Sequence, residues 1–97
     1  MATYAMLSRW TDRGIQDIKN VGTRIEAFKK TARACGAEVR ECYMALGEYD
    51  TMSLVQAPDD EAIAKLALAL GAVGNVRTET LRLFAEGELK KLVAALP

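Results

Sequence analysis

Two adjacent side chains near the middle of the chain, Tyr49 and Asp50, have the chemistry of a proton-transfer pair. A carboxylate can act as a general base and a phenol as a general acid when their surroundings adjust their pKa values. The same two residues also suit a turn, in which Tyr49 packs against the core and Asp50 hydrogen-bonds the backbone. The sequence leaves both interpretations open and favours the turn.

Three charged residues of the last predicted strand could bind an anionic ligand. Arg77 and Glu79 share one face of this strand, whereas Arg82 points to the other face. The planar fork of an arginine guanidinium suits a carboxylate. The same side chains could instead form ion pairs across a subunit interface, which is the interpretation we favour.

Trp10 completes the set of residues with candidate chemistry. As a large aromatic residue at the end of a predicted strand, it could line a pocket or belong to the core or to an interface. The candidate ligand-binding residues are Trp10, Tyr49, Asp50, Arg77 and Glu79. No catalytic residue is assigned.

The composition of the chain limits the classes of function. Its 13 basic and 13 acidic residues cancel, whereas nucleic-acid binders usually carry a basic excess that neutralises phosphates. The absence of histidine excludes a histidine-dependent triad and a histidine metal site. Cys35 and Cys42 fit no metal or redox spacing. We therefore predict no nucleic-acid partner, no metal and no cofactor.

The sequence carries no membrane or export signal. No apolar run reaches the roughly 20 residues that a transmembrane helix needs. The N-terminal residues enter a strand pattern at once, without a charged region or an apolar signal-peptide core. These features predict a cytoplasmic chain with no membrane partner.

Hydrophobic periodicity predicts the elements that must position these residues. The strands are predicted at Thr3–Trp10, Glu38–Leu46, Asp50–Gln56 and Val76–Phe84. The first long helix could begin at Asn20 or at Thr23, where Glu26 would complete a capping box. This helix is predicted to end at Gly36. The second helix is predicted to start after Pro58 and to end at Gly71 or Gly74, and a terminal helix is predicted at Glu86–Leu96.

This order of elements predicts a ferredoxin-like α+β fold, with residues 1–97 as a single domain. Right-handed crossovers place both long helices on one face of a four-stranded antiparallel sheet. We expect Tyr4, Met6, Trp10 and the two hairpin strands, in either register, to make the opposite face too apolar for water. That face should be covered by a second subunit, by the terminal helix or by a bound small molecule.

Four stretches of the chain share a pattern with known proteins: Ser8–Gly14, Gly47–Asp50, Ala57–Asp60 and Leu70–Arg82. They resemble the GYD domain family of small bacterial proteins, over residues 3 to about 92. Gly47, Tyr49 and Asp50 match the pattern that gives the family its name. One departure is Val21-Gly22, where family members often carry Ser-Pro, and it bears on where the first helix starts.

The resemblance implies a ferredoxin-like fold similar to that of the dimeric α/β-barrel proteins, in which two sheets meet through their open faces or subunits join into rings. It implies no established activity, because the related superfamily includes cofactor-free monooxygenases, haem enzymes and ligand-sensing domains. Fold analogy does not choose among these functions.

Our leading hypothesis is a homo-oligomeric, small-molecule-binding or structural protein, with itself and a small ligand as partners. The alternative is a cofactor-independent monooxygenase or isomerase acting on a small aromatic or quinone-like substrate. Trp10, Tyr49, Asp50 and Arg77 would carry that reaction. The alternative requires a cavity on the sheet that holds Asp50 or Arg77 beside an apolar wall.

Overall fold

The structure, a computed structural model, describes residues 1–97 and contains four strands and four α-helices. The strands are β1 (Ala2–Trp10), β2 (Glu38–Met44), β3 (Thr51–Ala57) and β4 (Val76–Leu83). The helices are α1 (Asp12–Gln16), α2 (Val21–Ala34), α3 (Asp60–Val73) and α4 (Glu86–Ala94), with a 3-10 turn over Ile18–Asn20. The strands form one sheet in the order β2-β3-β1-β4, and every pair is antiparallel. The predicted ferredoxin-like α+β fold is confirmed.

Helices α2 and α3 pack against one face of the sheet and enclose the core. Tyr4 and Met6 of β1 and Val55 of β3 lie in one cluster with Ile63 and Leu66 of α3. Each of these side chains is at most 5% exposed. Burying an aliphatic side chain of this size stabilises the fold by about 1.5–3 kcal/mol, so this layer contact holds the sheet and helices together.

The expectation that Tyr4, Met6 and Trp10 lie on the open face is wrong. Alternate residues of a strand point to opposite faces, and these three share the face that the helices cover. Their apolar character therefore serves the contact between the sheet and the helices. The open face carries the other set of β1 residues.

That open face is nonetheless apolar at its centre. Ala5 lies directly opposite Leu54 in β3 and Leu81 in β4. Leu7 lies opposite Met52. Five apolar residues thus form a patch across β3, β1 and β4, and Leu81 is 45% exposed. The prediction that this face needs a cover is consistent with the patch.

Helix α2 begins earlier than the capping-box pattern predicts. The 3-10 turn runs directly into Val21, and Asn20 precedes the helix without a side-chain capping bond. Thr23 is already inside the first turn of the helix. Of the two predicted starts, Asn20 is the observed one and Thr23 is wrong, because the preceding turn has already set the backbone on a helical path.

Helix α3 has the limits that the sequence predicts. The side chain of Asp59 accepts a hydrogen bond from the backbone N–H of Ala62 at 2.9 Å, which caps the first turn. Gly74 ends the helix in the left-handed conformation, with φ of +93°, where residues with a side chain are strained. Of the two predicted ends, Gly74 is the observed one.

The terminal helix α4 does not cover the open face. None of its residues is buried, and its apolar side chains Leu89, Leu92 and Val93 are each more than half exposed. The helix start is fixed by Glu88, which accepts a hydrogen bond from the backbone N–H of Ala85 at 3.1 Å. That bond, together with Arg82, lowers the pKa of Glu88. None of the helices combines the length and the apolar character that crossing a bilayer requires.

Tyr4 should give the fold a dependence on alkaline pH. Its hydroxyl donates a hydrogen bond to Asp60 Oδ1 at 2.5 Å, and this bond and burial raise its pKa. Because the folded-state pKa lies above the unfolded value, the contribution is complete below about pH 10 and is lost as pH rises through the folded pKa. We expect Tyr4→Phe to reduce the loss of unfolding free energy between about pH 8 and 11, measured by urea denaturation.

The matched control for this experiment is Tyr43→Phe, because Tyr43 is about half exposed. The control should keep the alkaline loss seen in the unchanged protein. An equal alkaline loss in both variants would contradict the assignment to Tyr4.

Candidate functional site

A cavity of about 690 Å³ lies between the sheet and helices α2 and α3. Fifteen of its 22 lining residues are hydrophobic. This volume falls within the range of ordinary small-molecule pockets, which are mostly apolar with a few polar groups. It is the candidate functional site, and it lies on the helix side of the sheet.

The helices contribute the apolar wall of this cavity. Val21, Ile25 and Phe28 come from α2, at the spacing that puts residues on one helical face. Leu70 and Val73 come from the last turns of α3. Because the two helices are far apart in the sequence, their facing stripes become one wall only in the folded protein.

The sheet contributes a row of hydroxyl groups. Ser8 of β1 stands opposite Thr51 in β3 and Thr78 in β4, and Ser8 and Thr51 share a hydrogen bond. Ser53 lies two residues beyond Thr51 in β3, and its Oγ donates to Cys42 Sγ at 3.6 Å. Each hydroxyl has one donor and two acceptor sites. The hydroxyl groups of the row can therefore hydrogen-bond to one another and still offer hydrogen bonds to a polar group of a ligand.

Trp10 is the one residue of the predicted ligand-binding set that lines the cavity. It ends β1, where it stands opposite Val76. Its backbone N–H donates to Asp50 Oδ2 at 2.9 Å. The backbone of Trp10 is therefore held at the end of β1 by the hairpin between β2 and β3.

Asp50 connects the hairpin between β2 and β3 to β1. Besides the bond to Trp10, its own N–H donates to the carbonyl of Ser8 at 2.9 Å, and its carbonyl accepts from the N–H of Ala45 at 2.8 Å. These three bonds use the side chain and both backbone groups of one residue. Asp50 does not line the cavity.

Tyr49 lies in a polar cluster with Arg9, Glu48 and Glu79. Its hydroxyl donates a hydrogen bond to the Glu79 carboxylate, which raises the pKa of Tyr49. The Arg9 guanidinium lies 4.5 Å from the centre of the Tyr49 ring and 2.7 Å from Glu48 Oε1. The charged residues of the cluster are exposed, so the ion pair adds little stability. Within the cluster, the Tyr49 phenol serves as a hydrogen-bond donor to Glu79.

Arg77 stands directly opposite Arg9 on the open face. Arg9 is paired with Glu48, whereas Arg77 forms no ion pair within the chain. The structure thus separates the five predicted residues into three places. Trp10 lines the cavity, Asp50 braces the hairpin, and the other three lie on the open face: Tyr49, Arg77 and Glu79.

Sequence reasoning missed the hydroxyl row and Arg24, which also lines the cavity. The hydroxyls come from strands that are far apart in the sequence, and only the register of the sheet brings them together. Arg24 follows the 3-10 turn and is bound by Asp17, whose carbonyl accepts from Nη1 at 2.8 Å. The only sequence signal for Arg24 is a basic residue within an otherwise apolar helical stripe. The structure gathers no cluster of three or more His, Cys, Asp or Glu side chains that could hold a metal ion.

Comparison with known proteins shows matches over nearly the whole chain. A model of the GYD domain matches residues 4–93. A Thermus thermophilus protein, named as a glutamine synthetase and cystathionine beta-lyase binding protein, is 33% identical over 90 residues, which are 92% of this chain and 95% of the relative. A crystal structure from the same organism superposes with a TM-score of 0.57 at 28% identity, covering 87% of this chain and 94% of that protein.

Proposed function

The chain belongs to the GYD domain family, and from this premise we propose that it is a homo-oligomeric protein that binds a small apolar molecule. The observation that carries the proposal is the cavity of about 690 Å³. Ligand sites are clefts or cavities of about 300–1,000 Å³ that are lined mainly by hydrophobic side chains. An apolar space of this size beneath two helices therefore supports a role in binding.

Filling the cavity should weaken the binding of an aromatic probe. Ala69 of α3 lines the cavity, and in Ala69→Phe the new ring would occupy part of it. The chain has a single tryptophan, Trp10, which also lines the cavity. Energy transfer from Trp10 to 1-anilinonaphthalene-8-sulfonate therefore reports binding to the protein, and the comparison of variants locates the bound probe. We expect Ala69→Phe to weaken binding of the probe by about tenfold or more, which corresponds to ~1.4 kcal/mol of binding free energy.

The matched control is Ala64→Phe, on the exposed side of the same helix. This variant adds the same ring outside the cavity and should bind the probe as the unchanged protein does. Equal binding by both variants would place the probe on another surface, and the cavity would lose its proposed role.

Self-association is supported by the surface that the single chain leaves exposed. Its accessible area is 6605 Å², roughly 1,100 Å² more than a compact monomer of 10.6 kDa exposes. Its radius of gyration is 14.6 Å, against about 12.5 Å for a compact chain of 97 residues. A standard interface buries about 800 Å² on each partner. The apolar patch around Leu81 is the surface we propose for that contact.

A second candidate function is binding to another protein. The exposed apolar residues of α4 favour it, and the relative from Thermus thermophilus is named for binding glutamine synthetase and cystathionine beta-lyase. Mixing the purified chain with each of these two enzymes and measuring complex mass by light scattering tests it. Masses equal to those of the separate components would remove this candidate.

No specific observation favours the monooxygenase or isomerase alternative. That hypothesis places Asp50 or Arg77 beside an apolar cavity wall, and neither residue lines the cavity. The titratable residues along the cavity are Arg24, Cys42 and Tyr43. Binding therefore remains the function that the geometry supports best.

A further inference from the structure

Arg24 is the only charged residue among those that line the cavity. Its Nη1 donates to the carbonyl of Asp17 at 2.8 Å and lies 3.5 Å from Asp17 Oδ2. The Asp17 side chain is half exposed, whereas the Arg24 side chain is 18% exposed. The ion pair is therefore long and partly screened by water, and it leaves much of the positive charge of Arg24 uncompensated.

The second terminal nitrogen of Arg24 has no partner. Nη2 is buried, and no group of the protein accepts a hydrogen bond from it. It is the one buried side-chain nitrogen or oxygen in the chain with this property. Buried charged donors are normally paired, because an unsatisfied one loses its hydration without compensation. Arg24 is thus a donor in need of an acceptor at the wall of an apolar cavity.

We propose that the cavity takes an apolar carboxylic acid whose carboxylate accepts a hydrogen bond from Arg24 Nη2. This inference rests on the proposed function, because it requires that the cavity bind a small molecule. The contacts of Nη1 with Asp17 hold the guanidinium at the cavity wall, and a ligand carboxylate that reaches Nη2 would supply the acceptor that this nitrogen lacks. A hydrogen bond between two charged groups is among the strongest in proteins.

The surroundings of Arg24 select a single negative charge on an apolar body. The cavity lining offers one guanidinium and no second cation, whereas phosphate sites usually combine several basic groups or a row of backbone N–H groups. Trp10 and Phe28 provide aromatic surface for the rest of the ligand. A carboxylate therefore fits this site better than a phosphate.

Calorimetric titration with 1-naphthoate and with 1-naphthalenemethanol tests the proposal, since these probes have the same ring system and differ in charge. We expect the unchanged protein to bind naphthoate tighter by about tenfold or more. Arg24→Met should abolish that preference and change the affinity for the neutral alcohol by less than about threefold. Lys30→Met removes the same charge from an exposed position on α2 and should keep the preference.

Arg24→Lys provides a second variant in case the methionine variant loosens the turn at Asp17. Lysine keeps the charge and loses the fork, so part of the preference should remain. Urea denaturation of each variant checks that it is folded. Equal affinity of the unchanged protein for both probes, or an unaltered preference in Arg24→Met, would overturn the role of Arg24. Either result would leave the proposal that the cavity binds a small molecule intact. Binding of neither probe would overturn the binding function itself, and this inference with it.

Discussion

Glutamate in place of Leu81 is expected to dissociate the proposed homo-oligomer into monomers. Leu81 lies on the β4 side of the apolar patch, opposite Ala5, which in turn lies opposite Leu54. A carboxylate buried without a partner costs several kcal/mol, and about 3 kcal/mol already weakens association roughly 150-fold. In a two-fold interface the same residue contributes from both subunits, which increases the effect.

The same substitution should leave the single chain folded. Leu81 is 45% exposed in the chain alone, so the new charge can reach water once the subunits separate. Light scattering coupled to gel filtration measures the mass, and circular dichroism checks the fold. We expect the mass of one chain for Leu81→Glu, with an unchanged spectrum.

Leu68→Glu is the matched control, because Leu68 is a leucine of α3 that is 75% exposed on the helix side of the molecule. This variant should keep the mass of the unchanged protein. An oligomer that survives in Leu81→Glu but dissociates in Leu68→Glu would move the interface to the helices. Leu92→Glu on α4 adds a third comparison, since loss of the oligomer in that variant would assign the terminal helix to self-association.

The sequence predicts the fold well because each element has its own local pattern. The acidic residues after Pro58 mark the start of α3 without any tertiary information, and the glycines at positions 71 and 74 limit its end to two positions, of which the structure uses Gly74. The start of α2 is harder, because the 3-10 turn that precedes it has no comparable signal. The capping-box pattern at Thr23 therefore predicts a helix start that is not used, because the 3-10 turn leads directly into the helix at Val21.

The cavity is less predictable, because it depends on which strand face the helices cover. The alternation in β1 separates Tyr4 and Met6 from Ala5 and Leu7, and both sets are apolar. Nothing local says which set meets the helices. The hydroxyl row and Arg24 become a site only after that choice is made.

The family resemblance also identifies residues without giving their physical role. Two of the resembling stretches, Ser8–Gly14 and Leu70–Arg82, are in contact in the structure. Thr11 Oγ1 donates to the carbonyl of Gly74 at 2.7 Å, and the N–H of Thr11 donates to the carbonyl of Asn75 at 3.0 Å. The end of β1 is thereby joined to the end of α3, beside the cavity.

Gly14→Ala is expected to destabilise this junction more than any other single methyl addition to a glycine of the chain. A Cβ atom on Gly14 would lie 2.0 Å from the carbonyl oxygen of Asn75 and 2.9 Å from its carbonyl carbon. These are backbone atoms, so no side chain can move aside. Asn75 would have to shift, which would break its bond to Thr11. We expect a loss of about 3 kcal/mol in the free energy of unfolding, measured in urea.

Gly22→Ala is the opposite case and provides the control. Gly22 lies within α2, and no atom would stand within 4 Å of its new Cβ. Alanine there removes backbone freedom from the unfolded chain, so stability should rise by about 0.5–1 kcal/mol. The same chemical change thus has opposite signs at two helical positions. Equal stabilities of the two variants would mean that Gly14 is not packed against Asn75 as the structure shows.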